Sequence, residues 1–446
     1  MDNDIKIMPI LDPVPASPNI LIHKNKSAVC INANIYEGEA EVFLEFLPRP
    51  SIYVYGSYND VPTVDILQAA SNPSIVTHLS INSTTVNGFA ISCGGDINSN
   101  VSRLKWCPEM EPIGVIGNDL TQFKRVIFHL YNFKEFRGTR ISIEGGETFA
   151  RQINHIDMIY ENLKIEIKSL VETEDNIKKI KSEGTSCLTH VGEFQNIDGM
   201  DFNGKEASEI LTELASFFSF SRGKRCNPIF AVGFNSANAR VWESWSSPVQ
   251  QEDVPFSWFD PDHGSQLANF FPKFHERWKD EDWRRTLRES IFWYLSANIP
   301  SRDLAAGIIL TQAAIERLSF QFSVEDKKLL TRDAFKDLRG ADKFRILFAS
   351  LGLPLDIPSA TPKLQKKGIS LKWGNSPYAL TVIRNSLVHP EHKSRGKFDD
   401  LIFEAWKLSL WYLELSILAI CNYDGTYANR LTQTSAGQVE DVPWKK

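Results

Sequence analysis

The spacing of apolar residues changes once along this 446-residue chain, and that change limits the fold more than any other feature. Up to about residue 245 most apolar side chains fall in short runs, many of them alternating. In Leu163-Lys164-Ile165-Glu166-Ile167-Lys168 every second residue is apolar, the pattern of a strand with one buried face. From about residue 265 apolar positions recur every three or four residues, as on one side of a helix. Strands gathered before helices make an α+β chain.

The strand runs are 41–55, 75–81, 88–93, 125–131, 139–143 and 162–168, with Pro48 and Pro50 interrupting the first. Asn, Gly, Ser and Pro clusters separate them, which predicts an antiparallel sandwich or barrel. A helix over 204–220 carries Ile210, Leu211, Leu214, Phe217 and Phe218 on one stripe, and strands over 228–234 and 239–245 follow. Helices are then expected over 282–297, 302–322 (capped by Ser301), from Thr331 to near Gly352, and from Ser376-Pro377 to His389, with a last helix over 397–421. Residues 354–374 read as a loop. The expected organisation is a β-rich domain at 1–190 and a helix with strands completing it at 191–245. A Pro-, Ser- and Asp-rich linker at 246–264 leads to an all-α bundle at 265–430 and a flexible tail at 431–446.

Bulk properties exclude several classes. A net charge of -6 rules out a generally basic coat, so a nucleic-acid site has to be a local patch. The N-terminus is acidic and Pro-broken, unlike a secretory signal. The longest apolar stretch, 401–420, contains Glu404, Lys407 and Glu414, which suits a buried helix and not a membrane span. Six scattered cysteines without a C-x-x-C point to a reducing cytoplasm and to no metal or cofactor. Cys187 and His190 supply at most half a metal site.

One patch stands out. Between 361 and 397 lie Lys363, Lys366, Lys367, Lys372, Arg384, Lys393, Arg395 and Lys397 against the single acid Glu391, a local net of +7. Within it, the apolar helix ends on Arg384-Asn385-Ser386-Leu387-Val388-His389. Asn385 and His389 share a face, and Pro390 stops the helix at the imidazole. A guanidinium, an amide and an imidazole at a helix end within a basic patch suit a polyanion such as RNA.

This hexapeptide resembles the R-x4-6-H motif of HEPN domains, where Asn often follows the Arg, and the resemblance covers roughly 265–430. The layout of a β-rich region before it, with phrases such as FFSFSRGKRCNPIFAVGF, is similar to ApeA-like anti-phage proteins. The resemblance implies a HEPN helical bundle that forms a homodimer. It implies a metal-independent endoribonuclease whose site is shared by two protomers, acting as an abortive-infection effector on RNA, with tRNA among the candidates, under a phage-derived trigger. Arg384 and His389 would then act on the scissile phosphate and the 2′-OH, Asn385 would hold the geometry, and Glu316 would be the acidic residue that orients them. The lysines and Arg395 would bind RNA.

Other readings of the same residues stand beside this one. Arg384 and His389 can serve a helix C-terminus as caps and dipole partners, and Glu316 can be a plain ion-pair member. A silent HEPN used for RNA binding, or a scaffold acting with a partner chain, would share the patch. GMDFNGKE at 199–206 has P-loop spacing but places Glu206 where Ser or Thr is needed, and reads as a first-turn helix acid. Asp157 with Glu166 and Lys168 has the residue types of a metal-dependent nuclease but also the alternation of a solvated strand face. Trp242, Trp245 and Trp258 suit core packing or a recognition surface.

Overall fold

The computed structural model describes residues 7–11, 19–46, 49–72, 77–81, 84–96, 101–143, 151–183, 186–249, 256–299, 303–389 and 396–445. Strands come first and helices after, as the periodicity requires. Strands β1 (Asn19–Ile31), β2 (Asn34–Glu45) and β3 (Ser51–Asn59) are followed by helix α1 (Thr63–Ser71) and by β4 (Thr77–Ile81), β5 (Thr84–Asp96) and β6 (Val101–Pro108). These six strands close into a barrel in the order β1-β2-β3-β6-β5-β4. Val29, Val42, Leu44, Ile52, Val54, Leu79, Leu104 and Trp106 fill it.

A separate sheet begins directly after. Its strands are β7 (Ile113–Ile116), β9 (Arg125–Tyr131) after the two-residue β8 (Gln122–Phe123), β10 (Thr139–Ile143), β11 (Arg151–Tyr160) and β12 (Leu163–Ser169). Helix α2 (Thr173–Glu183) leads to β13 (Leu188–Asn196), and the short β14 (Phe202–Asn203) to α3 (Gly204–Arg222). Strands β15 (Ile229–Phe234) and β16 (Arg240–Trp245) complete the sheet in the order β10-β11-β12-β13-β9-β15-β16-β7. The expected boundary at 190/191 falls inside β13, and the break between the two sheets lies between residues 108 and 113. Barrel and sheet share one strand period and one kind of turn, so the pattern of apolar residues gives no signal at that break.

Helices α4 (Ser265–Lys279), α5 (Glu281–Ala297) and α6 (Leu304–Phe320) come next, and α6 runs on into a π-helical turn at Gln321–Asp326. Then follow α7 (Arg332–Asp337), α8 (Gly340–Ser350), α9 (Pro362–Ser370), α10 (Ser376–Val388) and α11 (Ile402–Ile420), with a small β17–β18 pair (Thr426–Tyr427, Glu440–Asp441). Asp303 caps α6 in place of Ser301, which lies outside the described residues. Among the described residues no helix is long and apolar enough to cross a membrane.

The centre of the sheet is buried on both faces. Along β9, Val126, Phe128 and Leu130 enter the core formed with the helices, while Ile127 and Tyr131 enter the core formed with the barrel. Between them His129 is fully buried. The Ile10 amide donates to its Nε2 at 2.9 Å, so Nδ1 carries the proton and faces the Phe230 carbonyl at 3.2 Å.

Two expectations about separate parts fail on this shared core. Helix α3, assigned to the N-terminal region, packs Phe217 against Phe270, Phe271 and Phe274 of α4, with ring centroids 5.4–5.8 Å apart. The 246–264 linker is described at 246–249 and 256–264. In the latter stretch Trp258 and Phe259 are core residues wedged beside Phe220 and Phe270. Aromatic side chains between prolines gain more by burial than the Pro- and Ser-rich composition suggests. Nor is the expected tail at 431–446 loose over its described residues, 431–445. Val442 is buried, and the Trp444 indole donates to the Tyr423 carbonyl at 2.6 Å. Deeper in, Arg430 grips Glu414 of α11 through two hydrogen bonds, and Tyr294 of α5 donates to the same carboxylate at 2.6 Å. The 354–374 loop contains α9, started by Pro362 and docked through Leu364.

Phe217→Ala should cost about 3–5 kcal/mol, the range for deleting a buried aromatic. Urea unfolding followed by tryptophan fluorescence and by far-UV circular dichroism should shift together. A helical signal that stays put while the other moves would sink the description of the sheet and the helices as sharing one core. Burial also pulls the His129 imidazole down to about 4 and His190 to about 3. The unfolded chain takes up these protons below its ordinary value of 6.5 and the folded chain does not. Stability should therefore fall as pH drops through 6.5 towards 4, by about 2 kcal/mol per histidine at pH 5. Denaturation midpoints at pH 7 and pH 5 measure it, with His129→Gln losing its share of the slope.

Candidate functional site

Helix α10 is built by local signals. The Asn375 side chain, rather than Ser376, caps it by accepting from the Tyr378 amide at 3.0 Å, and Pro377 sits in the first turn. Ser376 is buried and donates to the Asp356 carbonyl. Ala379, Leu380 and Ile383 fill the inner face. Gln312 of α6, itself buried, donates to the Leu380 carbonyl at 2.8 Å, pinning the turn that precedes Arg384. The one signal for Gln312 in the sequence is an amide within the apolar run Ile308–Ile315.

The outer face carries the motif. Arg384 is half-buried, and Asn385 and His389 are exposed. The Arg384 guanidinium donates to Asn385 Oδ1 at 3.3 Å, and it has no ion pair with a carboxylate among the described residues. His389 ends the helix, its amide donating to the Asn385 carbonyl at 2.8 Å. Three polar side chains thus stand on the surface at one helix end, with the buried stripe behind them.

Glu316 does not join them. Its carboxylate pairs with Lys343 of α8 at 2.7 Å, and that ammonium also lies 4.7 Å over the Phe335 ring. The acid expected to orient Arg384 or His389 instead ties α6 to α8, its plain ion-pair role. Of the basic patch, Lys363, Lys366 and Lys372 are exposed and Lys367 half-buried on or just after α9, and exposed Lys397 leans over Phe398. Lys393 and Arg395 lie outside the described residues. Glu404 of α11 accepts from the Lys363 and Leu364 amides, a carboxylate on the N-terminus of α9.

The alternative constellation on β11 and β12 does come together. His155 Nε2 lies 3.1 Å from both Asp157 and Glu166, and these three form a metal-ligand-like group. Lysines already occupy the carboxylates, however: Lys168 is 2.7 Å from Glu166, and Lys164 is 3.3 and 3.4 Å from Asp157 and Glu166. Burial alone would raise the Glu166 carboxyl, but hydrogen bonds from His155 and Lys168 outweigh it and hold it at about 2. Burial likewise opposes the His155 imidazolium, yet its two carboxylate partners lift it to about 9. The group is an ion-paired strand face with three cationic side chains on two carboxylates, without cation-binding capacity to spare.

The remaining sequence candidates resolve into structure. His190 is buried against Phe136 and bonded to Thr189. Glu206 forms a capping box with Asn203 at the start of α3. Trp242, Trp245 and Trp258 are core residues.

Comparison with known proteins follows the same architecture. Residues 118–254 match the family model described as the YopA central domain, and residues 280–441 that of the YopA C-terminal domain. The chain is similar to YopA. The SPbeta prophage-derived uncharacterized protein YopA of Bacillus subtilis (strain 168) is 28% identical over 334 residues, 73% of each chain. No solved structure matches. The two matched spans cover the eight-stranded sheet except β7 and the helices from α5, while the barrel lies outside both.

His155 should titrate near 9 by ring NMR, and Glu166→Gln should bring it down by at least a pH unit. A wild-type midpoint near 6.5 would mean the ladder is not charged as described.

Proposed function

We propose that the helical region is a metal-independent RNA endonuclease of HEPN type. Its carrying observation is the solvent-facing end of α10, where Arg384, Asn385 and His389 stand together with no carboxylate on Arg384 among the described residues. An arginine left without an acid is available to a phosphate. Exposed lysines on α9 supply a path for the backbone of a polyanion.

One protomer presents one such triplet, and a two-fold dimer through the helical region brings two to a shared site. His389 takes the proton from a ribose 2′-OH as that oxygen attacks phosphorus. The 5′-oxygen leaves with a proton from the second imidazole, and the products are a 2′,3′-cyclic phosphate and a 5′-hydroxyl. Arg384 offsets charge growing on the phosphoryl oxygens. Asn385 holds the guanidinium. Attack by the 2′-OH confines the reaction to RNA. The similar Bacillus subtilis protein is prophage-derived by name, a setting in which a nuclease directed at competing phage would be carried. The proposed role is therefore an anti-phage effector in the cytoplasm, restrained until a phage-derived trigger arrives.

Purified chain incubated with tRNA or ribosomal RNA in EDTA should cleave once phage lysate is added, leaving cyclic phosphate ends, and should stay inert without it. Arg384→Ala and His389→Ala should each lose about a hundredfold or more. Equal cleavage by all three proteins would overturn the assignment. RNA binding without cleavage, unchanged in His389→Ala, would favour a silent HEPN that binds RNA or scaffolds a partner.

A further inference from the structure

A cavity of about 590 Å³ lies where the two halves of the chain meet. Its walls come from the turn after β9, from α2, from the last residue of α3, from residues 256–261 and from residues 433–436. Two cations line it. Arg222 is 2% exposed, yet its Nε has no hydrogen-bond partner and its Nη1 makes one long bond, 3.4 Å, to the Arg225 carbonyl. Lys134 donates to the Ser257 hydroxyl at 2.8 Å, and Ser257 in turn donates to the Ser221 carbonyl at 2.7 Å. Neither cation has a carboxylate within ion-pair distance among the described residues.

The acids in the wall do not compensate them. Asp260 already accepts from the amides of Asp262 and Gly437, from the Gln433 side chain and from His263. Glu135 is exposed. Burial, with Arg222 nearby, pushes the Lys134 ammonium down to about 7. Burial also lowers the Arg222 guanidinium to about 10. Buried cations are ordinarily paired. These two repel each other across a space large enough for a ligand. The rest of the wall is largely apolar, from Phe133, Ile177, Ile180 and Phe259.

We propose that this cavity binds a small organic anion, a phosphate or carboxylate on an apolar or planar body, with the anionic group held by Arg222 and Lys134. The cations meet the charge, and the aromatic and isoleucine wall takes the body. Because the strand-bearing and helical parts both contribute to the wall, an occupant stabilises their junction. The inference is independent of catalysis at α10.

The test uses the full chain with three probes: adenosine 5′-monophosphate, octanoate and inorganic phosphate. At least one organic anion should bind by calorimetry and raise Tm by about 3 °C at saturation. Inorganic phosphate should bind at least tenfold more weakly. Binding of the nucleotide alone assigns a phosphate ligand, and binding of octanoate alone assigns a carboxylate. Lys134→Met removes a half-buried cation that has no carboxylate partner among the described residues, so it should fold with an unchanged or higher Tm while weakening the organic anion at least tenfold. Ile180→Trp, which fills the cavity from α2, should do the same without touching a charge. The proposal is overturned if no probe binds, if inorganic phosphate binds as tightly as the organic anions, or if both variants bind as wild type does.

Discussion

Strand β9 has no face left for water, and the rest of the structure depends on that constraint. Its neighbours in the ladder, β13 and β15, bury residues on both sides as well. A sheet covered on both faces needs two partners. The barrel supplies one through residues such as Ile20 and Leu44, and α3 with α4 and α5 supplies the other. His129 at the centre is the exception in an apolar layer, and its two ring nitrogens are spent on backbone groups from the N-terminal segment and from the bulged β15. A polar group there is tolerated only because both positions are satisfied.

The C-terminal half is fastened by a second buried polar group. Glu414, Arg430, Tyr294 and Asn298 come from α11, the segment after β17, α5 and the end of α5. Asn298 hands the network on to the Gly223 and Phe256 carbonyls. Gly223 itself sits at φ +78, where a Cβ would lie 2.7 Å from the Phe256 carbonyl, so the end of α3 requires glycine. A similar close approach occurs at Gly307, which lets α6 meet Trp406 of α11. Breaking such a network by removing one partner strands a buried charge. The same joints set the cavity beside Arg222 and the position of α10, since α6 carries Gln312.

Much of the local structure was legible beforehand. The spans of β9 and β10 follow directly from their apolar runs, and α3 and α5 from their stripes, because these are periodic and bounded by turn residues. The motif at the end of α10 was legible for a related reason: Pro390 and the Asn385–His389 spacing are local facts. Glu316 was not legible. Its partner is decided by which helix packs against α6, and α8 puts Lys343 there. Alternation along β12 shows Lys164, Glu166 and Lys168 sharing a face, while the approach of His155 and Asp157 to them depends on the β11–β12 register. The wedge of Trp258 and Phe259 was hidden by the prolines and serines around it.

By itself, then, the sequence determined the order of strands and helices, the charged residues that make the 401–420 run a buried helix, and a surface-directed Arg-Asn-His end on one helix. Period, caps and breakers are properties of neighbouring residues, and neighbouring residues are what a sequence records. Tertiary structure alone decided that one sheet serves two cores, that the tail locks the helices, and that Lys134 and Arg222 face one cavity. Those outcomes rest on contacts between residues far apart in the chain, and burial, pairing and repulsion there have no local periodicity to announce them.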